Sequence, residues 1–173
     1  MITLVTGGTK CGKSSYAEKV LEGFEGEKYY VATMNPTGDD AKEIIARHLE
    51  MRRDKDFVTV ECLRDIGNAD VPEGCAVLIE CMGNLCANEM FIGPNVHKPA
   101  EKIVEGIRRL SERTAELVIV TNEVGCDGIS YSADTKAYIS QLSEINCKIA
   151  EFADNVVECV YGIPVVRKGS SVC

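Results

Sequence analysis

Short apolar runs alternate with amphipathic segments along the whole chain. The apolar or alternating runs, which predict β-strands, cover residues 2–6, 28–33, 57–62, 75–81, 117–121 and 155–161. The segments with apolar residues at helical spacing, which predict helices, cover residues 13–22, 39–53, 82–91, 99–113 and 134–152. Strands and helices that alternate in this way form a mostly parallel sheet with helices on both faces. The pattern predicts one α/β domain over residues 1–173, with a last short strand after Gly162 and a loose tail at 170–173.

The junction between the first strand and the first helix carries the pattern G-x-x-x-x-G-K-S. Its residues are Gly7, Gly8, Thr9, Lys10, Cys11, Gly12, Lys13 and Ser14. In a P-loop, backbone N–H groups turn inward around phosphates, the lysine reaches the β- and γ-phosphates, and the hydroxyl holds Mg²⁺. The alternative is a glycine-rich turn with a surface lysine. The apolar strand before the pattern and the helix after it favour a P-loop nucleotide-binding enzyme with Lys13 as a catalytic residue.

A P-loop also needs an acidic residue at the end of a neighbouring hydrophobic strand, close to the Mg²⁺ ion. Glu80, which follows the apolar residues 76–79, is the candidate. The alternative interpretation is an ordinary carboxylate at a strand end. Because the P-loop requires such an acid, we favour Ser14 and Glu80 as the magnesium-binding residues.

A single histidine, His48, lies in the predicted helix 39–53 beside Arg47 and Arg52. Near a triphosphate, a histidine next to guanidinium groups can act as a nucleophile toward phosphorus, with arginine stabilising the developing charge. A structural or solvated histidine fits the same pattern. The second histidine, His97, lies in a predicted loop and is interpreted as a surface residue.

Composition narrows the class of ligand. The net charge of −8 argues against binding to nucleic acid or to an anionic membrane, which both require a positive surface. No apolar run approaches the roughly 20 residues that span a bilayer. The nine cysteines form no C-x-x-C pair, so we interpret them as reduced, buried thiols of a cytoplasmic protein rather than as metal ligands.

Several segments together resemble one enzyme family, the bifunctional adenosylcobinamide kinase/adenosylcobinamide-phosphate guanylyltransferases of cobalamin biosynthesis. The matching segments are TGGTKCGKS at 6–14, YVAT at 30–33, the histidine–arginine helix at 45–53, VLIEC at 77–81, VTNEVG at 120–125 and YGIPVVRK at 161–168. The combination of the N-terminal P-loop with VTNEVG after a central strand is more specific than the P-loop alone.

The resemblance implies a RecA-like P-loop fold, a homotrimer and two reactions. A nucleoside triphosphate, ATP or GTP, phosphorylates adenosylcobinamide, and GMP is then transferred from GTP through His48 to adenosylcobinamide phosphate. The implied cofactor is Mg²⁺. Besides the P-loop, the implied nucleotide contacts are Ala32, Thr33, Met34, Leu49, Glu50, Met51, Arg52, Glu61 and Glu80. Two other functions remain open: a P-loop kinase without guanylyl transfer, and a regulatory module that binds GTP without turnover.

Overall fold

The computed structural model describes residues 1–36 and 55–170. Nine strands lie in this part of the chain: β1 (Ile2–Gly7), β2 (Lys28–Ala32), β3 (Phe57–Glu61), β4 (Ala76–Ile79), β5 (Phe91–Ile92), β6 (Asn95–Val96), β7 (Glu116–Val120), β8 (Asn155–Val160) and β9 (Ile163–Lys168). The described α-helices are α1 (Lys13–Val20), α2 (Met82–Met90), α3 (Ala100–Arg113) and α4 (Ala133–Phe152). A short 3₁₀ turn covers Ile66–Asn68.

Seven of the strands form one sheet in the order β3-β2-β4-β7-β1-β8-β9. All neighbouring pairs are parallel except the last, in which β9 runs antiparallel to β8. Strands β4, β7 and β1 therefore lie at the centre, and their carboxyl ends meet at the same edge of the sheet.

The two faces of the sheet bury different sets of side chains. On β4, Val77 and Ile79 pack into the larger core with α2, α3 and α4, whereas Ala76 and Leu78 pack into a smaller core with α1. Every residue of β4 is buried, which explains why this segment is apolar at consecutive positions. The predicted α/β, RecA-like P-loop fold with a mostly parallel sheet and helices on both faces is confirmed.

Several element ends differ from the sequence prediction by one or two residues. Helix α1 ends at Val20 rather than at residue 22, because the N–H groups of Leu21 and Glu22 bond to carbonyls three residues earlier in a tight turn. The predicted helix 82–91 ends at Met90. The sequence Gly93-Pro94-Asn95 predicts a loop, whereas the structure has a short hairpin between β5 and β6 here, in which Gly93 has a positive φ of 66°.

Some predictions concern residues that the structure does not describe. The predicted helix 39–53 and residues 171–173 of the predicted tail lie outside the described residues. The first residue of that tail, Ser170, donates its backbone N–H to Asn155 Oδ1 at 3.1 Å. Among the described residues, no helix has the length and apolar character that crossing a membrane would require.

Candidate nucleotide-binding site

A cavity of about 740 Å³ opens at the carboxyl edge of the sheet, beside the loop that joins β1 to α1. The loop and α1 contribute Thr9, Lys10, Cys11, Gly12, Lys13, Ser14, Ser15 and Glu18 to its lining. The opposite wall is formed by Tyr30, Met34, Glu80, Cys81, Asn84, Val120 and Asn122. A crevice at the carboxyl ends of parallel strands is where open α/β folds bind ligands.

Two glycines allow the loop to take its path. Gly7 has a φ of 138°, and a Cβ atom on it would lie 2.5 Å from the carbonyl oxygen of Cys159 on β8. Gly12 has a left-handed φ of 95° and immediately precedes the first residue of α1. A side chain at Gly7 would therefore collide with backbone. The loop residues and the first turn of α1 line the cavity, and the positive end of a helix dipole favours an anion at such a place.

Lys13 is the buried positive charge of this loop, whereas Lys10 is exposed. The Lys13 side chain is only 7% exposed, and its Nζ donates to the carbonyl oxygen of Gly8 and lies 3.8 Å from Cys11 Sγ. Ser14 is exposed on the cavity wall. The ammonium group and the hydroxyl thus stand on one side of the cavity, at the start of α1, where they can contact phosphate oxygens.

Glu80 lies on the opposite wall and is fixed by β2. Its Oε2 accepts the backbone N–H groups of Thr33 at 3.0 Å and Met34 at 3.1 Å. The hydroxyl of Thr33 donates to the Cys81 carbonyl at 2.9 Å, so three hydrogen bonds join the ends of β2 and β4. The sequence placed this acid on a strand neighbouring the P-loop strand, but β7 separates β4 from β1. The carboxylate nevertheless lines the cavity.

Magnesium is the cofactor implied by the P-loop, and the residues present suit it. Mg²⁺ prefers oxygen ligands, and it binds through one or two protein groups together with substrate phosphates. The Ser14 hydroxyl and the Glu80 carboxylate both line the cavity. Within the described residues, no group of three or more His, Cys, Asp or Glu side chains could hold a metal ion unaided. Phosphate oxygens of a nucleotide would complete such a site.

The remaining predicted nucleotide contacts fall into three groups. Met34 lines the cavity, whereas Ala32 and Thr33 stand directly before it at the end of β2. Glu61, at the end of β3, is exposed and does not line the cavity. His48 and the predicted contacts that follow it, Leu49, Glu50, Met51 and Arg52, lie outside the described residues.

Sequence reasoning assigned no role to three polar groups of the opposite wall, Cys81, Asn84 and Asn122. Asn122 Nδ2 donates to Cys81 Sγ at 3.4 Å, and its backbone carbonyl accepts a bond of 3.5 Å from Asn146 on α4. Burial raises the pKa of the Cys81 thiol, which keeps it neutral. The sequence signal that could have identified these residues is their position. Cys81 and Asn122 come just after the buried parallel strands β4 and β7, whose carboxyl ends meet at one edge of the sheet.

The other cysteines and His97 lie away from this wall. All eight cysteines among the described residues are free thiols. Cys75, Cys86 and Cys159 are buried, but Cys126 and Cys147 are exposed, so the prediction of burial was wrong for these two. His97 is exposed, which confirms its interpretation as a surface residue.

A comparison with known protein families shows to which family the chain belongs. The profile of one family, described as cobinamide kinase / cobinamide phosphate guanyltransferase, matches residues 3–166. The chain belongs to this family. The matched range contains every residue that lines the cavity.

Three curated relatives are similar over nearly their whole length. The chain is 28% identical to the bifunctional adenosylcobalamin biosynthesis protein CobU of Salmonella typhimurium and 29% identical to that of Escherichia coli, over 97% of this chain and all of each relative. It is 24% identical to CobP of Pseudomonas aeruginosa, over 98% of both chains. A solved structure, the P4 protein from bacteriophage phi6 in complex with ADP, is 11% identical with a TM-score of 0.48; the match covers 94% of this chain and about half (52%) of that one.

Proposed function

We propose that the chain catalyses two successive transfers in cobalamin biosynthesis. In the first, a nucleoside triphosphate phosphorylates the aminopropanol hydroxyl of adenosylcobinamide. In the second, GTP gives GMP to adenosylcobinamide phosphate, which yields adenosylcobinamide-GDP. The observation that supports this most directly is the P-loop cavity, with Lys13 on one wall and Glu80 on the other, inside the region matched by the family.

In the kinase reaction, the described residues would bind the triphosphate and neutralise it. Residues of the loop and of the first turn of α1 line the cavity, where their N–H groups would bind the phosphates, and Lys13 Nζ adds a charge that is already buried at the loop. Ser14 and Glu80 would hold Mg²⁺, which would supply positive charge to the phosphate oxygens. The neutral groups on the opposite wall, Asn84 and Asn122, are suited to contact an uncharged hydroxyl acceptor.

The guanylyl reaction is proposed to use His48 as the nucleophile. A ring nitrogen of His48 forms a bond to the α-phosphorus of GTP as the α–β bridge breaks, and pyrophosphate leaves. A phosphate oxygen of adenosylcobinamide phosphate then attacks the same phosphorus, and the nitrogen–phosphorus bond breaks. Arg47 and Arg52, adjacent in sequence, would supply positive charge to both steps. The protein is further proposed to act as a cytoplasmic homotrimer of one-domain subunits.

The covalent step gives the sharpest test. Purified protein is incubated with GTP and Mg²⁺, denatured, and its intact mass is measured. We expect an increase equal to one guanylyl group, that is GMP less one water, which is lost in acid because a phosphorus–nitrogen bond hydrolyses there. The increase should be absent from His48→Ala and unchanged in His97→Ala, a matched control because the chain has only these two histidines.

The same samples separate the alternative functions. Phosphorylation of adenosylcobinamide without any mass increase would identify a kinase without guanylyl transfer. GTP binding with neither reaction would identify a regulatory module. Either result would overturn the guanylyl half of the proposal.

A further inference from the structure

A side chain of α4 holds the two residues that follow β7. The hydroxyl of Thr121 donates to Asn146 Oδ1 at 2.7 Å, and Asn146 Nδ2 donates to the backbone carbonyl of Asn122 at 3.5 Å. Thr121 is fully buried, so water would not readily replace Asn146 as the partner of its hydroxyl. Asn146 therefore joins a helix that covers the sheet to the carboxyl end of a central strand.

The segment after β7 is also bonded to the P-loop strand. The backbone N–H of Thr121 donates to the carbonyl of Val5 on β1 at 2.9 Å, and the N–H of Glu123 donates to the carbonyl of Gly7 at 3.3 Å. Gly7 is the first residue of the P-loop pattern. The segment thus runs beside the phosphate-binding loop, and it is fixed by β1 on one side and by α4 on another.

The strand order places this segment between the two charged parts of the site. Strand β7 lies between β1, which leads into the P-loop, and β4, which leads to Glu80. Asn122 follows β7 and lines the cavity together with Lys13 and Glu80. A side chain at this place lies where a phosphoryl group held by the P-loop would meet its acceptor.

The amide of Asn122 has one end engaged and one end available. Its Nδ2 donates to Cys81 Sγ at 3.4 Å, and a Cβ atom on Gly83 would lie 3.5 Å from the same nitrogen. The nitrogen is therefore packed against the start of α2. Within the part of the chain that the structure describes, no donor bonds to Asn122 Oδ1. An amide oxygen on a cavity wall can accept the O–H of a hydroxyl ligand.

We propose that Asn122 Oδ1 accepts a hydrogen bond from the hydroxyl group that is phosphorylated, and that Asn146 is the positioning residue that holds Asn122 for this contact. The inference rests on the proposed function, since it requires a hydroxyl acceptor and a nucleoside triphosphate in one cavity. The bond turns a lone pair of the hydroxyl oxygen toward the γ-phosphorus, which is the orientation that the transfer needs.

The role of Asn122 is orientation and not proton transfer. The hydroxyl oxygen forms a bond to the γ-phosphorus, and the bridging bond to the β-phosphate breaks with its electron pair on the nucleoside diphosphate. The hydroxyl proton is released to water. A neutral amide is too weakly basic to take it, so loss of Asn122 should act on the position of the acceptor.

The test measures phosphorylation of adenosylcobinamide by ATP and, in parallel, by GTP. The variants are Asn122→Ala, Asn146→Ala and the double variant. Thr121→Val removes the bond to Asn146 from its other partner, and it keeps the anchor testable if Asn146→Ala does not fold. Asn95→Ala is the control, because Asn95 is exposed on β6. Thermal melting verifies folding, and calorimetric titration with the α,β-methylene analogue of each donor, without corrinoid, reports nucleotide affinity.

We expect kcat/KM for adenosylcobinamide to fall by about 10- to 100-fold in Asn122→Ala and in Asn146→Ala, the effect of misplacing a reacting group. Thr121→Val should show a loss in the same direction. Analogue affinity should stay within about twofold of the wild type in every variant. The double variant should be no slower than Asn122→Ala, because Asn146 acts through Asn122 and the two effects do not add.

Each other result overturns a defined part of the proposal. Unchanged kcat/KM in Asn122→Ala would remove the contact with the hydroxyl. Full activity in both Asn146→Ala and Thr121→Val, or losses that multiply in the double variant, would remove the positioning role of Asn146. An equal loss of analogue affinity would show that the segment supports the P-loop instead. A wild type that phosphorylates adenosylcobinamide with neither donor would overturn the proposed function itself.

Discussion

The side chain of Glu80 can be changed in two ways that separate its hydrogen bonds from its charge. Its Oε2 accepts the backbone N–H groups of Thr33 and Met34 at the end of β2, and its carboxylate lines the cavity. Glu80→Ala removes both the acceptor and the charge. Glu80→Gln keeps a carbonyl oxygen that can accept the same two bonds but removes the charge.

The cost of the alanine variant follows from the two N–H groups that lose their acceptor. Thr33 is fully buried, so water cannot replace the bond at its N–H. A hydrogen bond to a charged group contributes about 1.5–3 kcal/mol. Because both bonds share one oxygen, we expect a total loss of about 2–4 kcal/mol. For a chain of this size the melting temperature would fall by about 5–15 °C.

The glutamine variant should be nearly as stable as the wild type but catalytically impaired. Its bonds become those of a neutral acceptor, which costs about 1 kcal/mol. If Glu80 holds the magnesium shell, loss of the charge lowers the kinase rate about 10- to 100-fold, the usual effect of removing a group that supports a metal.

Urea unfolding and steady-state phosphorylation of adenosylcobinamide measure the two effects. Glu116→Gln is the matched control, because Glu116 lies at the amino end of β7, the edge of the sheet opposite the cavity. A Glu80→Gln protein with kinase activity within twofold of the wild type would refute the metal role. An alanine variant as stable as the wild type would refute the hydrogen-bond reasoning.

Two other predictions concern stability. Burial raises the pKa of the Cys86 thiol from 9.0 to about 12, so the folded state is favoured below pH 9 and loses stability as the pH rises toward 12. Between pH 8 and 10.5, urea unfolding should therefore show a smaller loss of unfolding free energy for Cys86→Ala than for the wild type or the exposed control Cys147→Ala. Lys55 Nζ lies 2.5 Å from Oε2 of the buried Glu18. Lys55→Met should lower the unfolding free energy by about 1–3 kcal/mol, and adding Glu18→Gln to that variant should restore part of the loss. Additive effects of the two substitutions in this double-mutant cycle would contradict the pairing.

Pattern alone predicted the sheet well because its strands are short apolar runs. Residues 75–81 are apolar on both faces, and β4 is indeed buried on both faces. The insertion of β7 between β1 and β4 could not be predicted, since strand order is decided by how crossovers pack and not by the strand sequences. The hairpin at Gly93 was missed because strands of two residues carry no periodicity.

The site residues that sequence predicted best are those whose type and spacing phosphate binding dictates. Gly7, Gly12 and Lys13 are such residues, and the positive φ angles of the two glycines explain why glycine is required at those positions. Asn122 and Cys81 contact one another across strands that are 41 residues apart in sequence, a relationship that only the fold creates. The exposure of Cys147 depends on which side of α4 faces the sheet, and α4 has apolar residues around much of its surface.

The polar groups on the wall opposite the P-loop bear on how one chain serves two acceptors. On the β7 and β4 side, apart from Glu80, the wall offers neutral groups: the Asn84 and Asn122 amides and a Cys81 thiol kept protonated by burial. Such a wall suits the hydroxyl of the first reaction better than the phosphate of the second, which needs cationic partners. The sequence supplies those cations beside His48, so we expect the phosphate acceptor to be held by the segment that carries the histidine.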